Sequence, residues 1–129
     1  MPAKTKILVV DDDQQLVYAL TDRLKNEGYS VISAYDGIGA MKKVKEDPPD
    51  LVILDIVLPD IDGFELCEMV KKLPETEDIP VIMLTGKDKG EDFEKALDKK
   101  ADWYIVKPYD DNQLLRTVES LLNKSRKKH

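Results

Sequence analysis

Four short apolar runs of this chain end in residues that could do chemistry together. Ile7-Leu8-Val9-Val10 runs into Asp11-Asp12-Asp13, and Leu51-Val52-Ile53-Leu54 runs into Asp55. Two later runs end in Thr85-Gly86 and in Lys107-Pro108. If the runs are parallel strands, all four ends meet at one edge of a sheet, and Asp11, Asp12 and Asp55 crowd together. Two unit charges about 4 Å apart repel by about 4 kcal/mol at an effective dielectric of about 20, so such a cluster shares protons or binds a cation. Oxygen-only ligands select a hard ion, and few protein ligands with retained waters suit Mg²⁺. The plainer alternative is a set of solvated loop acids and helix caps. Asp13, directly before Gln14, is read that way, as an N-cap.

A divalent ion beside a carboxylate is half of a phosphoryl-transfer site. Lys107 can hold a phosphoryl oxygen as a point charge. Thr85 can donate its hydroxyl to another, and Gly86 leaves room for the group. An aspartate nucleophile then yields an acyl phosphate. Each residue alone is weak evidence, since a lysine before proline is usually a surface lysine. The signal is their placement at successive strand ends.

The elements that must position these residues follow from periodicity. Residues 7–10, 31–34, 51–54, 81–84 and 103–106 are strands, several of them apolar at consecutive positions, as when both faces are covered. Between them lie segments of helical period. Residues 14–27 put Leu16, Val17, Leu20 and Leu24 on one face, with Gly28 as a stop. Residues 37–46 are ended by Pro48-Pro49. A third helix begins near Gly63, uses Phe64, Leu66, Cys67 and Val70, and stops before Pro74. Residues 91–99 offer only Phe93, Ala96 and Leu97, so a short, weakly anchored helix is expected there. The last helix opens at Asp110, with Gln113 completing a capping box. Its stripe is Leu114, Leu115, Val118, Leu121 and Leu122. Five βα repeats make an α/β fold, a doubly wound five-stranded parallel sheet with helices on both faces. Ligands of such sheets bind at the carboxyl ends of the strands.

With 129 residues, 42% of them hydrophobic, the chain suits one compact domain with a real core. A net charge of -6 argues against a nucleic-acid surface built by the whole domain. The basic run Lys124-Ser125-Arg126-Lys127-Lys128 is read as a solvated, disordered tail, residues 124–129, behind a domain of residues 1–123. The single cysteine, Cys67, excludes an internal disulfide and a thiolate metal site. No apolar stretch approaches the ~18 residues of a membrane span, and the N-terminal residues lack the core of a signal peptide. A cytoplasmic location without membrane insertion is expected.

Residues 7–13, 55–63, 84–86 and 104–108 together resemble the response-regulator receiver domain of two-component signalling. The chain is similar to the single-domain chemotaxis-type regulators from Lys6 to about Asn123. The resemblance implies a flavodoxin-like (βα)5 fold with Asp55 as phosphoacceptor and Mg²⁺ held by Asp12, Asp55 and the Val57 carbonyl, Asp11 acting through a water. It implies a cis bond between Lys107 and Pro108. It also implies a switch in which Thr85 shifts toward the phosphoryl group and Tyr104 turns inward. That change biases a surface made by the fourth helix, last strand and last helix. The resemblance implies a sensor histidine kinase or a histidine phosphotransfer protein as donor, and His129, the only histidine here, makes that donor another molecule. A downstream protein target would read the surface, with the chain as a monomer or a phosphorylation-dependent dimer.

Some positions depart from the family pattern. Lys100 stands where glycine is usual, Tyr109 stands where phenylalanine is more often found, and Val57 and Lys87 occupy positions that tune phosphoryl lifetime. Trp103 is read as packing. Three other readings compete. The chain could be the receiver part of a larger regulator with a C-terminal effector domain. A Mg²⁺-dependent phosphohydrolase with an aspartyl-phosphate intermediate would need an acid-base carboxylate two residues beyond the nucleophile, where Val57 stands. A flavodoxin-like cofactor carrier would need Ser, Thr or Gly donors where Asp11-Asp12-Asp13 stands. The expectation is therefore a phosphorylation-controlled binding switch, not an enzyme acting on outside substrates.

Overall fold

A computed structural model describes residues 4–86 and 100–127. Its strands are β1 (Lys6–Val10), β2 (Ser30–Ala34), β3 (Leu51–Asp55), β4 (Val81–Thr85) and β5 (Trp103–Val106). The four described helices are α1 (Gln14–Asn26), α2 (Gly37–Glu46), α3 (Gly63–Lys72) and α4 (Asp111–Lys127). The strands form one sheet in the order β2-β1-β3-β4-β5, every neighbouring pair parallel. The order reverses at β1, so the crevice for a ligand opens where β1 and β3 end.

Consecutive apolar residues place β1, β3 and β4 at the centre, where both faces are covered. On one face Leu8, Val10, Val52, Leu54 and Met83 pack with the buried residues of α2 and α3. On the other, Ile7, Val9, Ile53 and Ile82 pack with Val17, Leu20 and Leu24 of α1 and with Leu114, Val118 and Leu122 of α4. Cys67 lies within the first of these cores without solvent exposure, and burial, with further contributions from Asp102 and Glu68 against Lys71, pushes its thiol up to about 11.

The helix ends follow local chemistry. The Asp13 carboxylate accepts N–H groups of Gln15 and Leu16 at 3.1 and 3.2 Å, capping α1 as expected. Gly28, at φ +95°, takes the chain out of that helix. Asp110 accepts the N–H of Asn112 at 2.9 Å at the start of α4. Lys100 does adopt a positive φ, 67°, where a side chain costs roughly 1–2 kcal/mol relative to ordinary backbone.

Two expectations need correction. The helix α4 runs on to Lys127, so residues 124–127 are helical instead of a tail behind Asn123. Lys and Arg are good helix formers, and cations are favoured at a helix C-terminus, so the loss of apolar residues there is no stop signal. Trp103 is 54% exposed, not packed away, because it opens an edge strand. The expected helix at residues 91–99, and Lys87, lie outside the described residues.

The amino end of the sheet carries its own polar ties. Lys71 Nζ donates to the Ile79 carbonyl at 2.7 Å and to Asp102 at 2.6 Å, and the same Asp102 oxygen accepts the Val81 N–H at 2.8 Å. This clasp joins α3 to the starts of β4 and β5. Nearby, the Lys6 N–H donates to Asp50 at 2.7 Å, and the Lys6 ammonium pairs with Asp47.

Candidate functional site

At the carboxyl end the strand ladder carries Asp11 and Asp55 inward before the loops diverge. The Asp11 N–H donates to the Ala34 carbonyl at 3.2 Å, and the Ile56 N–H to the Leu84 carbonyl at 3.1 Å. These bonds carry the register past the strand ends and bring Asp11 and Asp55 together. Asp11 and Asp55 are buried and Asp12 is exposed. One carboxylate oxygen from each lies within 4.8 Å of the other two. The Asp13 N–H also donates to Asp11 at 3.0 Å.

Lys107 enters this cluster from β5. Its Nζ is 3.0 Å from Asp11 and 3.5 Å from Asp55. Its N–H donates to the Thr85 carbonyl at 2.5 Å, so Thr85 and Lys107 are tied through backbone as well as sharing an edge. Thr85 is buried at the end of β4, one residue beyond the register partner of Asp55. The bond between Lys107 and Pro108 is cis. Tyr104 is half-buried against the α2–α3 side of the core, two residues before Val106, the register partner of Thr85.

The electrostatics match this crowding. Burial, reinforced by Asp11, raises the Asp55 carboxyl above its ordinary value; Lys107 and the Val57 N–H pull it back only in part. For Lys107, burial works against the charge, but the hydrogen bond to Asp11 and the charges of Asp55 and Asp11 outweigh it, and its pKa is raised. Tyr109 leans on the α1–α4 side of the core, and burial, with Asp111 and Asp11 nearby, pushes its phenol up to about 12.

Three carboxylates against one ammonium leave two negative charges at the edge. An all-oxygen donor set with that surplus fits a hard divalent ion such as Mg²⁺. Val57 is 72% exposed and stands two residues past Asp55, in the loop that joins β3 to α3.

That loop, residues 56–62, is closed at its base by the Gly63 N–H donating to the Ile56 carbonyl at 2.8 Å and by a bridge between Val57 and Asp62. The approach is so close that a Cβ on Gly63 would sit 2.4 Å from the Asp55 carbonyl oxygen and 2.7 Å from the Ile56 Cα. Only glycine fits there. The structure thus brings Asp11, Asp12, Asp55 and Lys107 together and puts Thr85 beside them. Sequence reasoning missed Asp60, whose carboxylate accepts N–H groups of Gly37 and Ile38 at 2.7 and 2.8 Å. Those bonds, first that of Gly37, hold the Asp60 carboxyl below its ordinary value. An acid five residues past Asp55 carries no local sign of a partner 23 positions back.

Comparison with known proteins agrees with this geometry. Residues 7–119 match the family described as response regulator receiver domain. The chain is 40% identical over 122 residues to the alkaline phosphatase synthesis transcriptional regulatory protein PhoP of Bacillus subtilis (strain 168). That match covers 93% of this chain and 49% of the relative, so the chain spans about half the length of that curated protein. Among solved structures, a response regulator receiver domain protein (CheY-like) from Methanospirillum hungatei JF-1 superimposes with a TM-score of 0.93 at 32% identity, covering 98% of this chain and all of that one. The signal receiver domain of a signal transduction histidine kinase from Syntrophus aciditrophicus gives 0.88 at 34% identity, covering 95% and 92%.

Proposed function

The chain belongs to the response regulator receiver domain family of two-component signalling, and on that premise we propose that Asp55 is its phosphoacceptor and the other strand-end residues serve the transfer. The observation that carries this reading is the convergence of Asp11, Asp12 and Asp55 with Lys107 at one sheet edge.

Bound Mg²⁺ would supply charge neutralisation between the acceptor and the incoming phosphoryl group. Asp12, Asp55 and the Val57 carbonyl are its proposed ligands, with Asp11 acting through water. An Asp55 oxygen attacks the phosphorus and forms the new O–P bond. The bond to the donor breaks, and its electron pair leaves with the donor. Burial favours this step, because a poorly solvated carboxylate has little water to lose before it attacks. Lys107, already directed at Asp11 and Asp55, holds a phosphoryl oxygen, and the Thr85 hydroxyl binds another. Their shared backbone bond offers a route by which the new group moves Thr85 and Tyr104.

Receiver domains take phosphoryl groups from histidine kinases or phosphotransfer proteins, and this chain's donor is proposed to be one of these. The output is proposed to be a protein target that reads the surface around β5 and α4. No described helix is long and apolar enough to cross a membrane, which fits a cytoplasmic setting.

The test is intact mass after incubation with acetyl phosphate, with and without Mg²⁺. One phosphoryl group should add to wild type only when the metal is present, and none should add to Asp55→Asn. Addition to a folded Asp55→Asn at the wild-type rate would overturn the assignment.

A further inference from the structure

We infer that Asp60 is a positioning residue for metal binding: its carboxylate pins the loop between β3 and α3 to the N-terminus of α2, and so sets where the Val57 backbone sits beside the acidic cluster. This rests on the reading of Asp12, Asp55 and Val57 as Mg²⁺ ligands.

The loop has a firm base and a second hold. At the base, the Gly63 N–H bonds Ile56, Val57 is bridged to Asp62, and Asp62 caps α3 through the Phe64 N–H at 2.7 Å. Val57 itself is exposed, so its backbone is held by the Asp62 bridge and its N–H bond to Asp55 and not by side-chain packing. Asp60 supplies the hold from the far side. One of its oxygens accepts the Gly37 N–H at 2.7 Å and the Ile61 N–H at 2.9 Å, and the other accepts the Ile38 N–H at 2.8 Å.

The opposite partner is built for the contact. The first N–H groups of a helix lack partners within the helix and favour negative charge. In α2 the work is divided: its own cap, Asp36, takes the Gly39 N–H at 2.7 Å, and Asp60 takes those of Gly37 and Ile38. Gly37 is needed for the seat, because a Cβ there would stand 2.5 Å from Ile61 Cγ1 and 3.1 Å from an Asp60 oxygen. Asp60 is exposed, so its bonds add little core stability. What they fix is the placement of the loop tip relative to α2, three residues from Val57.

The experiment is calorimetric titration of Mg²⁺ into the full chain without phosphodonor, on wild type, Asp60→Ala, Asp60→Asn, Asp36→Ala and Asp55→Asn. Outer partners that orient metal ligands typically change affinity about 10–100-fold, and Asp60→Ala should weaken Mg²⁺ binding about tenfold. Asp60→Asn, which keeps one acceptor oxygen, should lose less. Asp36→Ala uncaps the same helix without touching the loop, so it should lower the melting temperature and leave Mg²⁺ affinity unchanged. In acetyl phosphate assays the Asp60 variants should need more Mg²⁺ for half-maximal rate and reach the wild-type maximum. Unchanged affinity in Asp60→Ala, or an equal loss in Asp36→Ala, would overturn the inference. Wild type and Asp55→Asn binding Mg²⁺ equally would instead remove the ligand assignment on which it rests.

Discussion

At the amino end of the sheet, Lys71 meets Asp102, and both find further backbone partners in Ile79 and Val81. At the carboxyl end, Asp11, Asp12 and Asp55 crowd together, and among the described residues Lys107 alone is paired with them, through Asp11 and Asp55. The same parallel sheet thus satisfies its charges at one end and leaves them unbalanced at the other. A satisfied pair holds elements together and offers a ligand nothing. An unbalanced cluster works against the fold and is relieved only by a proton, a cation or a covalent change. The contrast assigns stability to one edge and chemistry to the other.

The strongest way to break this comparison is at the clasp. Asp102→Ala should destabilise the chain by about 3 kcal/mol, because it leaves the largely buried Lys71 ammonium and the Val81 N–H without this acceptor. Urea denaturation measures the loss, and Mg²⁺ affinity should stay at wild type. A loss below half that size would mean the clasp is ornamental. Mg²⁺ should act at the other edge: at a hundredfold excess over Kd it should stabilise wild type by about 2.7 kcal/mol. In Asp55→Asn that metal effect on the melting temperature should largely vanish.

Smaller effects sharpen the contrast. Without metal, Asp55→Asn should be more stable than wild type by about 1 kcal/mol, since the buried charge it removes is opposed by its surroundings. Its pH dependence has a defined sign. The folded-state pKa of Asp55 lies above the ordinary 3.8, so the folded state binds the proton first. The stability cost of the charge is fully present above the raised pKa and fades as pH falls toward the ordinary one. The advantage of Asp55→Asn should therefore shrink on acidification, read from melting curves of both proteins. A widening gap would contradict the charge argument. Least of all, Lys6→Met should change stability by no more than about 0.5 kcal/mol, because its pair with Asp47 is solvent-exposed.

Much of the carboxyl edge was legible because its signals are local. Consecutive apolar residues mark β1, β3 and β4, and the residue after each run falls at the sheet edge whatever the details of packing. Helical period placed the starts of α2 and α3 near Gly37 and Gly63, where the Asp36 and Asp62 side chains cap them in the structure. The amino edge was not legible. Lys71 and Lys72 are neighbours of the same type, yet Lys71 is buried in the clasp while Lys72 lies 73% exposed, 3.5 Å from Glu68. Only the phase of α3 against the sheet separates them. Asp60 escaped for a related reason, since its partners belong to another loop. Trp103 was misjudged because exposure on an edge strand depends on what covers that edge, which residue type does not encode.

Cys67 has one practical consequence. The chain's only thiol lies inside the core between α3 and the sheet, with its pKa pushed to about 11. A thiol so placed stays silent toward alkylating reagents until the core opens, so its labelling rate is a clock for native-state opening. Cysteines introduced on the surface can then be tagged selectively for distance measurements, with the native residue left in place.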